Sequence, residues 1–195
     1  VPNTEGKDGE LGLPHFNIPA YDGIGANEFI MNVTHRVPGP NGKLVPAVDF
    51  ISTMDTSRVA EWNMWYHVLN CGFRITASGE TDFPCISGER VGMGRVYAKV
   101  DGRLTFAKWV QSIADGRSYV SDGLCHLLNF SAKSNNSSVE LGKNKSELRI
   151  KEEEEITFNV DAAALLEEND EIKIELIVNG YPVSEEKILS DGRTS

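Results

Sequence analysis

Residues 59–78 read VAEWNMWYHVLNCGFRITAS, and this stretch decides the fold. Its first half repeats apolar side chains every three or four residues, ending at Leu69, which is typical of one face of an α-helix. Residues 55–57 can cap the start of this helix, and Gly72 can end it. After Gly72, apolar and polar residues alternate as in a β-strand. The stretch therefore predicts a helix, a terminating glycine and a strand at 73–78, which is half of a β-α-β unit.

Further elements are predicted on both sides of this stretch. They are a strand at 24–33, a Pro- and Gly-rich loop at 38–46, a short strand at 95–100, an amphipathic helix from Thr105 to Gly116 and an extended segment from Tyr119. Strands and helices that alternate in this way indicate the α/β class for residues 1–130.

The chain changes character near Phe130. Residues 1–130 carry 11 basic and 14 acidic side chains, whereas residues 131–195 carry 8 and 15. A Ser-, Asn- and Lys-rich stretch at 131–147 predicts an exposed junction between two modules. The second module, 131–195, is expected to be β-rich, with strands at 148–150, 156–160 and 172–178 and a helical turn or loop at 161–170. Three strands are too few for a complete β-sandwich.

Composition excludes several classes of protein. The net charge of −10 disfavours binding to nucleic acid or to anionic lipid. No stretch approaches the ~20 consecutive apolar residues of a membrane span, and the first residues lack the pattern of a signal peptide. Three cysteines without CxxC spacing do not make a disulfide scaffold, and four scattered histidines do not make a complete metal site.

The densest polar cluster, SGETDFPCISGERVGMGR at 78–95, directly follows the predicted strand. Carboxylates at the end of a strand can ligate a divalent metal, and neighbouring arginines can hold an anionic substrate. A structural interpretation stands beside this one: Asp82 caps the next turn, and Arg90 pairs with Glu89 or Glu80. Glu28, in the predicted strand at 24–33, is either a carboxylate at a barrel mouth or an exposed edge residue.

Four segments together resemble the late part of the catalytic domain in CehA/McbA-type metallohydrolases of the polymerase and histidinol phosphatase (PHP) superfamily. They are IGANEFIMNVTH from 24, VDFISTMDT from 48, WNMWYHVLNCGFRITASGETDFPCISGERVGMGRVY from 62 and GRSYVSDG from 116. The resemblance covers about residues 20–130, and its most specific feature is the order helix, glycine, strand and SGxTD. Residues 131–195 resemble the accessory domain that often follows such barrels.

The resemblance implies a distorted βα barrel with metal ions held at the carboxyl ends of its strands. Asp82 then corresponds to a metal ligand, and Pro84 stands where the family commonly has a histidine two residues after the aspartate. The early HxH motif and the middle histidines of the family are absent from these 195 residues. We therefore expect the late βα units of a barrel followed by a β-rich module, with the remainder of the same chain as a partner.

The function that this resemblance implies is a metal-dependent hydrolase acting on a small-molecule ester, amide or phosphoester. Zinc, manganese or iron would be the cofactor, Asp82 a ligand, and Arg74, Glu80, Arg90 and Glu28 the substrate-binding residues. The 195 residues alone are expected to be inactive. The rival hypothesis is a non-catalytic binding module that recognises a partner or a carbohydrate and has lost its metal site.

Overall fold

A computed structural model describes residues 35–54, 58–81, 83–84, 91–135, 137–143, 146–167, 171–188 and 193–194. In chain order its elements are β1 (Arg36–Pro38), β2 (Leu44–Pro46), β3 (Phe50–Ser52), α1 (Arg58–Asn70), β4 (Thr76–Ser78), β5 (Arg95–Ala98), α2 (Phe106–Ala114), β6 (Ser118–Ser121), β7 (Cys125–Lys133), β8 (Ser138–Glu140), β9 (Thr157–Ala164), β10 (Lys173–Val178), β11 (Tyr181–Lys187) and β12 (Arg193–Thr194). The fold is mixed, and strands outweigh helices. The predicted strand at 24–33 lies outside the described residues.

The unit β3-α1-β4 is a parallel crossover. Phe50 pairs with Thr76, and Ser52 pairs with Ser78, in parallel register, with α1 connecting the two strands. The predicted order of helix, glycine and strand is confirmed, although β4 is shorter than the alternating pattern. Gly72 ends α1 with a φ of 86°, a left-handed conformation that costs a glycine little.

The apolar core lies between this helix and these strands. Ile51, Met64 and Ile75 form one buried cluster, and Val48, Trp65 and Val68 pack against it. The Trp65 indole N–H donates to the carbonyl oxygen of Ile75 at 2.9 Å, so a bulky apolar residue enters the core without leaving its polar atom unsatisfied.

Strands β5 and β6 form an antiparallel pair joined through α2, and both contact β4. The predicted strand at 95–100 and the predicted second helix are therefore confirmed. The Thr105 hydroxyl accepts a hydrogen bond from the backbone N–H of Lys108 at 3.3 Å, the N-cap contact that its position suggested.

The β-rich part is built around a four-stranded antiparallel sheet in the order β12-β9-β7-β8. Strand β7 runs through Phe130, the position of the predicted junction, and Ala132 and Ala162 are buried in the sheet. Residues 161–164 extend β9, so the prediction of a helical turn or loop there is wrong. Residues 148–150 form no strand either, and none of the described strands pairs with them.

Two hairpins complete the described fold. The predicted loop at 38–46 is instead part of the β1-β2 hairpin, because Gly39 and Gly42 close a turn between two short strands. The β10-β11 hairpin turns at Asn179 and Gly180, and the carbonyl oxygen of Asn179 accepts a hydrogen bond from the Asn70 side chain at the end of α1, at 3.0 Å.

The described strands form one four-stranded sheet and four two-stranded sheets, and they do not close into a barrel. Neither helix in the described ranges combines the length and the apolar character that crossing a membrane would require.

Candidate functional site

The carboxyl ends of β3 and β4 meet at one edge, because the two strands are parallel. Thr53, the first residue after β3, is fully buried. Its backbone N–H and its hydroxyl both donate to the carbonyl oxygen of Ser78, at 3.0 and 3.1 Å. These two hydrogen bonds hold the ends of β3 and β4 together where the strands leave the sheet. We name this region the carboxyl edge.

The first turn of α1 also reaches the carboxyl edge. The indole N–H of Trp62 donates to the carbonyl oxygen of Thr53 at 3.0 Å. Its neighbour Glu61 is only 4% exposed, an unusual environment for a carboxylate. The partial positive charge at the start of a helix favours an ionised acidic group in this turn.

Glu61 was missed by the sequence interpretation, which treated the helix only as a source of apolar packing. The available signal was an acidic residue in the first turn of the predicted helix, one position before Trp62. A carboxylate buried at a strand edge can accept hydrogen bonds or bind a cation.

Glu80 lies two residues after the end of β4 and is half-buried at the same edge. The chain around it lies against the start of β5 without room for side chains: a Cβ on Gly79 would overlap the backbone of Arg95, and one on Gly94 would overlap the backbone of Glu80. The two glycines therefore allow the strand end that carries Glu80 to touch the strand that begins with Arg95.

Arg95 contributes an exposed guanidinium beside this crossing. Its Nη1 group donates to the hydroxyl of Tyr97 at 3.3 Å, and its Nε group donates to the carbonyl oxygen of Gly92. These contacts hold the guanidinium along β5, adjacent in sequence to Gly94 and close to the backbone that carries Glu80.

Arg74 lies at the opposite end of β4. Its side chain is 80% exposed and forms an ion pair with Glu147 at 3.0 Å. Arg149 and then Arg74 hold the pKa of the Glu147 carboxyl below its ordinary value through charged hydrogen bonds. The structure therefore does not bring Arg74 to Glu80: six positions separate them, and β4 lies between.

The other predicted site residues, Asp82, Arg90 and Glu28, lie outside the described residues. Within the described ranges, no three His, Cys, Asp or Glu side chains come together as a set of metal ligands. In the described residues, Thr53 and Glu80 follow the two strands at the carboxyl edge, Glu61 lies in the first turn of α1, and Arg95 begins the neighbouring β5.

Comparisons of the chain with family models, with curated proteins and with solved structures found no match.

Proposed function

We propose that the chain is the late part of a metal-dependent hydrolase of the PHP type, followed by a β-rich module. The observation that carries the proposal is the unit β3-α1-β4, a parallel strand pair with a crossover helix and with acidic side chains at its carboxyl edge. Barrel enzymes assemble their active sites from residues at this end of their strands.

The donor atoms at the carboxyl edge suit a hard divalent ion. Glu61 and Glu80 provide carboxylate oxygens, and Asp82 follows Glu80 by two residues. Zinc, manganese or iron would supply a hydroxide nucleophile at neutral pH. Because one or two carboxylates leave such an ion mostly hydrated, the proposal requires histidine ligands from sequence outside these 195 residues.

The resemblance to the PHP family suggests a role for each of the chain's own residues. Asp82 would ligate the metal, and Glu80 would accept hydrogen bonds from the substrate or from the attacking water. Arg90 would hold an anionic or carbonyl group of the substrate, and Glu28 would line the same mouth. Arg74 has its own partner at the far end of β4, so we do not include it in this set.

The deciding experiment measures metal content and hydrolysis in the full-length natural protein. We expect stoichiometric zinc, manganese or iron, and hydrolysis of p-nitrophenyl acetate or bis(p-nitrophenyl) phosphate. Asp82→Ala should lower metal affinity and hydrolysis together, by at least about tenfold, and should leave the thermal midpoint nearly unchanged.

Asp49→Ala is the matched control, because Asp49 is an exposed aspartate at the amino end of β3, away from the carboxyl edge. It should keep both metal and activity. A full-length protein without any of the three metals would overturn the hydrolase proposal in favour of a binding module. An Asp82→Ala protein that retains full metal occupancy and activity would return Asp82 to a structural role.

A further inference from the structure

A second candidate site is lined by none of the residues Thr53, Glu61 and Glu80. A pocket of about 420 Å³ lies between the β5-β6 pair, β7 and the turn after β8. Its volume falls within the range of about 300–1,000 Å³ that is common for small-molecule sites. Its walls are made entirely of described residues, which approach from positions 97–99, 116–119, 127–130 and 141–142.

One wall of the pocket is aromatic. Tyr97 and Tyr119 are cross-strand partners, and their rings stack with centroids 5.0 Å apart and planes 7° from parallel. His126 meets both rings edge-on, and its Nδ1 atom lies 2.8 Å from the Tyr119 hydroxyl. Burial, and secondarily the neighbouring Tyr97, raises the pKa of Tyr119 above its ordinary value. The wall is therefore an aromatic surface whose rings are held in place by stacking, edge-on contact and a hydrogen bond.

A second wall is polar, and its charges are already paired. Arg117 donates to the Asp101 carboxylate and to the carbonyl oxygen of Gly142, each at 2.8 Å. Lys99 lies 3.6 Å from Glu140, and Lys143 binds the same carboxylate at 2.6 Å. A ligand in this pocket therefore meets hydrogen-bonding groups whose charges are balanced within the protein.

The third wall comes from an irregularity in β7. The register with β9 shifts between Leu127 and Asn129, which makes Leu128 a bulged residue. Leu127 and Leu128 both line the pocket, and they are 41% and 58% exposed to solvent. The Asn129 side-chain N–H donates to the Asp161 carboxylate at 2.6 Å. The side-chain carbonyl oxygen of Asn129 therefore has a fixed position.

We propose that this pocket binds a neutral carbohydrate. A sugar ring has an apolar C–H face, which suits the tyrosine and leucine walls, and a rim of hydroxyls, which suits Asn129, Arg117 and Lys99. An anionic ligand would find its cations already neutralised and would approach a protein of net charge −10. A purely apolar ligand would remove water from the polar wall without offering it any further hydrogen bond.

The test is a titration of the 195-residue chain followed by amide chemical shifts in ¹H-¹⁵N spectra. The probes are glucose, galactose, N-acetylglucosamine and their β-linked disaccharides, with benzoate and inorganic phosphate as charged comparisons. We expect at least one neutral sugar to shift the amides of residues 97–99, 117–119 and 127–130, and neither anion to do so. Saturation of those shifts gives the dissociation constant.

Tyr97→Ala removes half of the aromatic wall and should weaken sugar binding at least tenfold. Tyr181→Ala, at an exposed tyrosine of β11 that does not line the pocket, is the matched control and should bind as the wild type does. If Tyr97→Ala fails to fold, Leu128→Arg alters the pocket at a position that is already exposed and should give the same loss.

The proposal is overturned if no neutral sugar shifts the pocket amides, if benzoate or phosphate binds there instead, or if Tyr97→Ala and Leu128→Arg bind as tightly as Tyr181→Ala. It does not depend on the hydrolase proposal, since none of these measurements involves a metal or hydrolysis, and Leu128→Arg tests the pocket at a residue that is not among those of the carboxyl edge.

Discussion

The β3-α1-β4 unit and the β10-β11 hairpin are stabilised in different ways. The first buries Ile51, Met64 and Ile75 to between 5% and 8% exposure. The hairpin has no buried residue in either strand, and its exposed apolar side chains include Val178 at 40% and Val183 at 59%. Ion pairs flank the hairpin instead, Lys173 with Glu185 at 2.8 Å and Lys187 with Glu171 at 3.0 Å.

This contrast indicates where the stability of the described fold resides. Burying an aliphatic side chain is worth about 1.5–3 kcal/mol, whereas an exposed ion pair is typically worth about 0–1 kcal/mol. We therefore expect the parallel unit to dominate the free energy of unfolding, and the hairpin to contribute mainly through its attachment to α1.

The largest expected effect is that of Ile51→Ala. Removing three carbons from the buried cluster leaves a cavity, and we expect the free energy of unfolding to fall by about 2–5 kcal/mol. Val183→Ala, in the exposed hairpin, should change it by about 0.5 kcal/mol or less. Urea denaturation of both variants measures the difference. A similar fall in the free energy of unfolding in both variants would show that the parallel unit does not dominate the stability.

Gly94→Ala should have the next largest effect, because the added Cβ would meet the backbone of Glu80 rather than a side chain that can move. We expect a loss of about 2–3 kcal/mol in the free energy of unfolding. Gly116→Ala is the control: its Cβ would enter open space, and only its φ of 71° opposes the change, at a cost of about 1 kcal/mol. If Gly94→Ala lowers the free energy of unfolding no more than Gly116→Ala does, the backbones of Gly94 and Glu80 do not lie in close contact.

The smallest effect is expected in the hairpin, from Glu171→Gln. Hydrogen bonding to Lys187, and then the charge of Lys187, lowers the pKa of the Glu171 carboxyl from its ordinary value of 4.5. A lowered folded-state pKa contributes stability above 4.5 that is lost as the pH falls through the folded-state value.

At neutral pH we therefore expect the thermal midpoint of Glu171→Gln to lie slightly below that of the wild type, and the two to converge in acid. Scanning calorimetry at several pH values follows this difference. A gap that persists or widens below the ordinary pKa would show that Glu171 acts through something other than its ion pair.

The sequence predicted the parts of the fold that depend on local signals. The change of period across Gly72 predicted α1 and β4, and Thr105 predicted the start of α2. The β1-β2 hairpin was missed because strands of three residues leave too short a pattern to distinguish from a loop. Strand β9 was predicted too short because DAAALL also suits a helix, and only its pairing with β7 decides between them.

The candidate site was predictable to a similar extent. Glu80 follows an apolar strand, and its position at the carboxyl edge could be read from that order. The family resemblance suggested Arg74 and Glu80 as residues of one substrate site, yet they lie beyond opposite ends of β4. The burial of Glu61 and the carbohydrate pocket depend on contacts between distant segments, which a single sequence does not reveal.

The hydrogen bond between Asn70 and Asn179 joins residues that are 109 positions apart. Ribosomes add roughly 5–20 residues per second, so the end of α1 would wait roughly 5–20 s after its own synthesis before its partner exists. During that interval α1 can pack against β3 and β4, but the hairpin is not yet there, so the hairpin attaches late in synthesis. A nascent chain stalled before β10 would display an α1 whose C-terminal turn exchanges its amide protons faster than in the finished molecule.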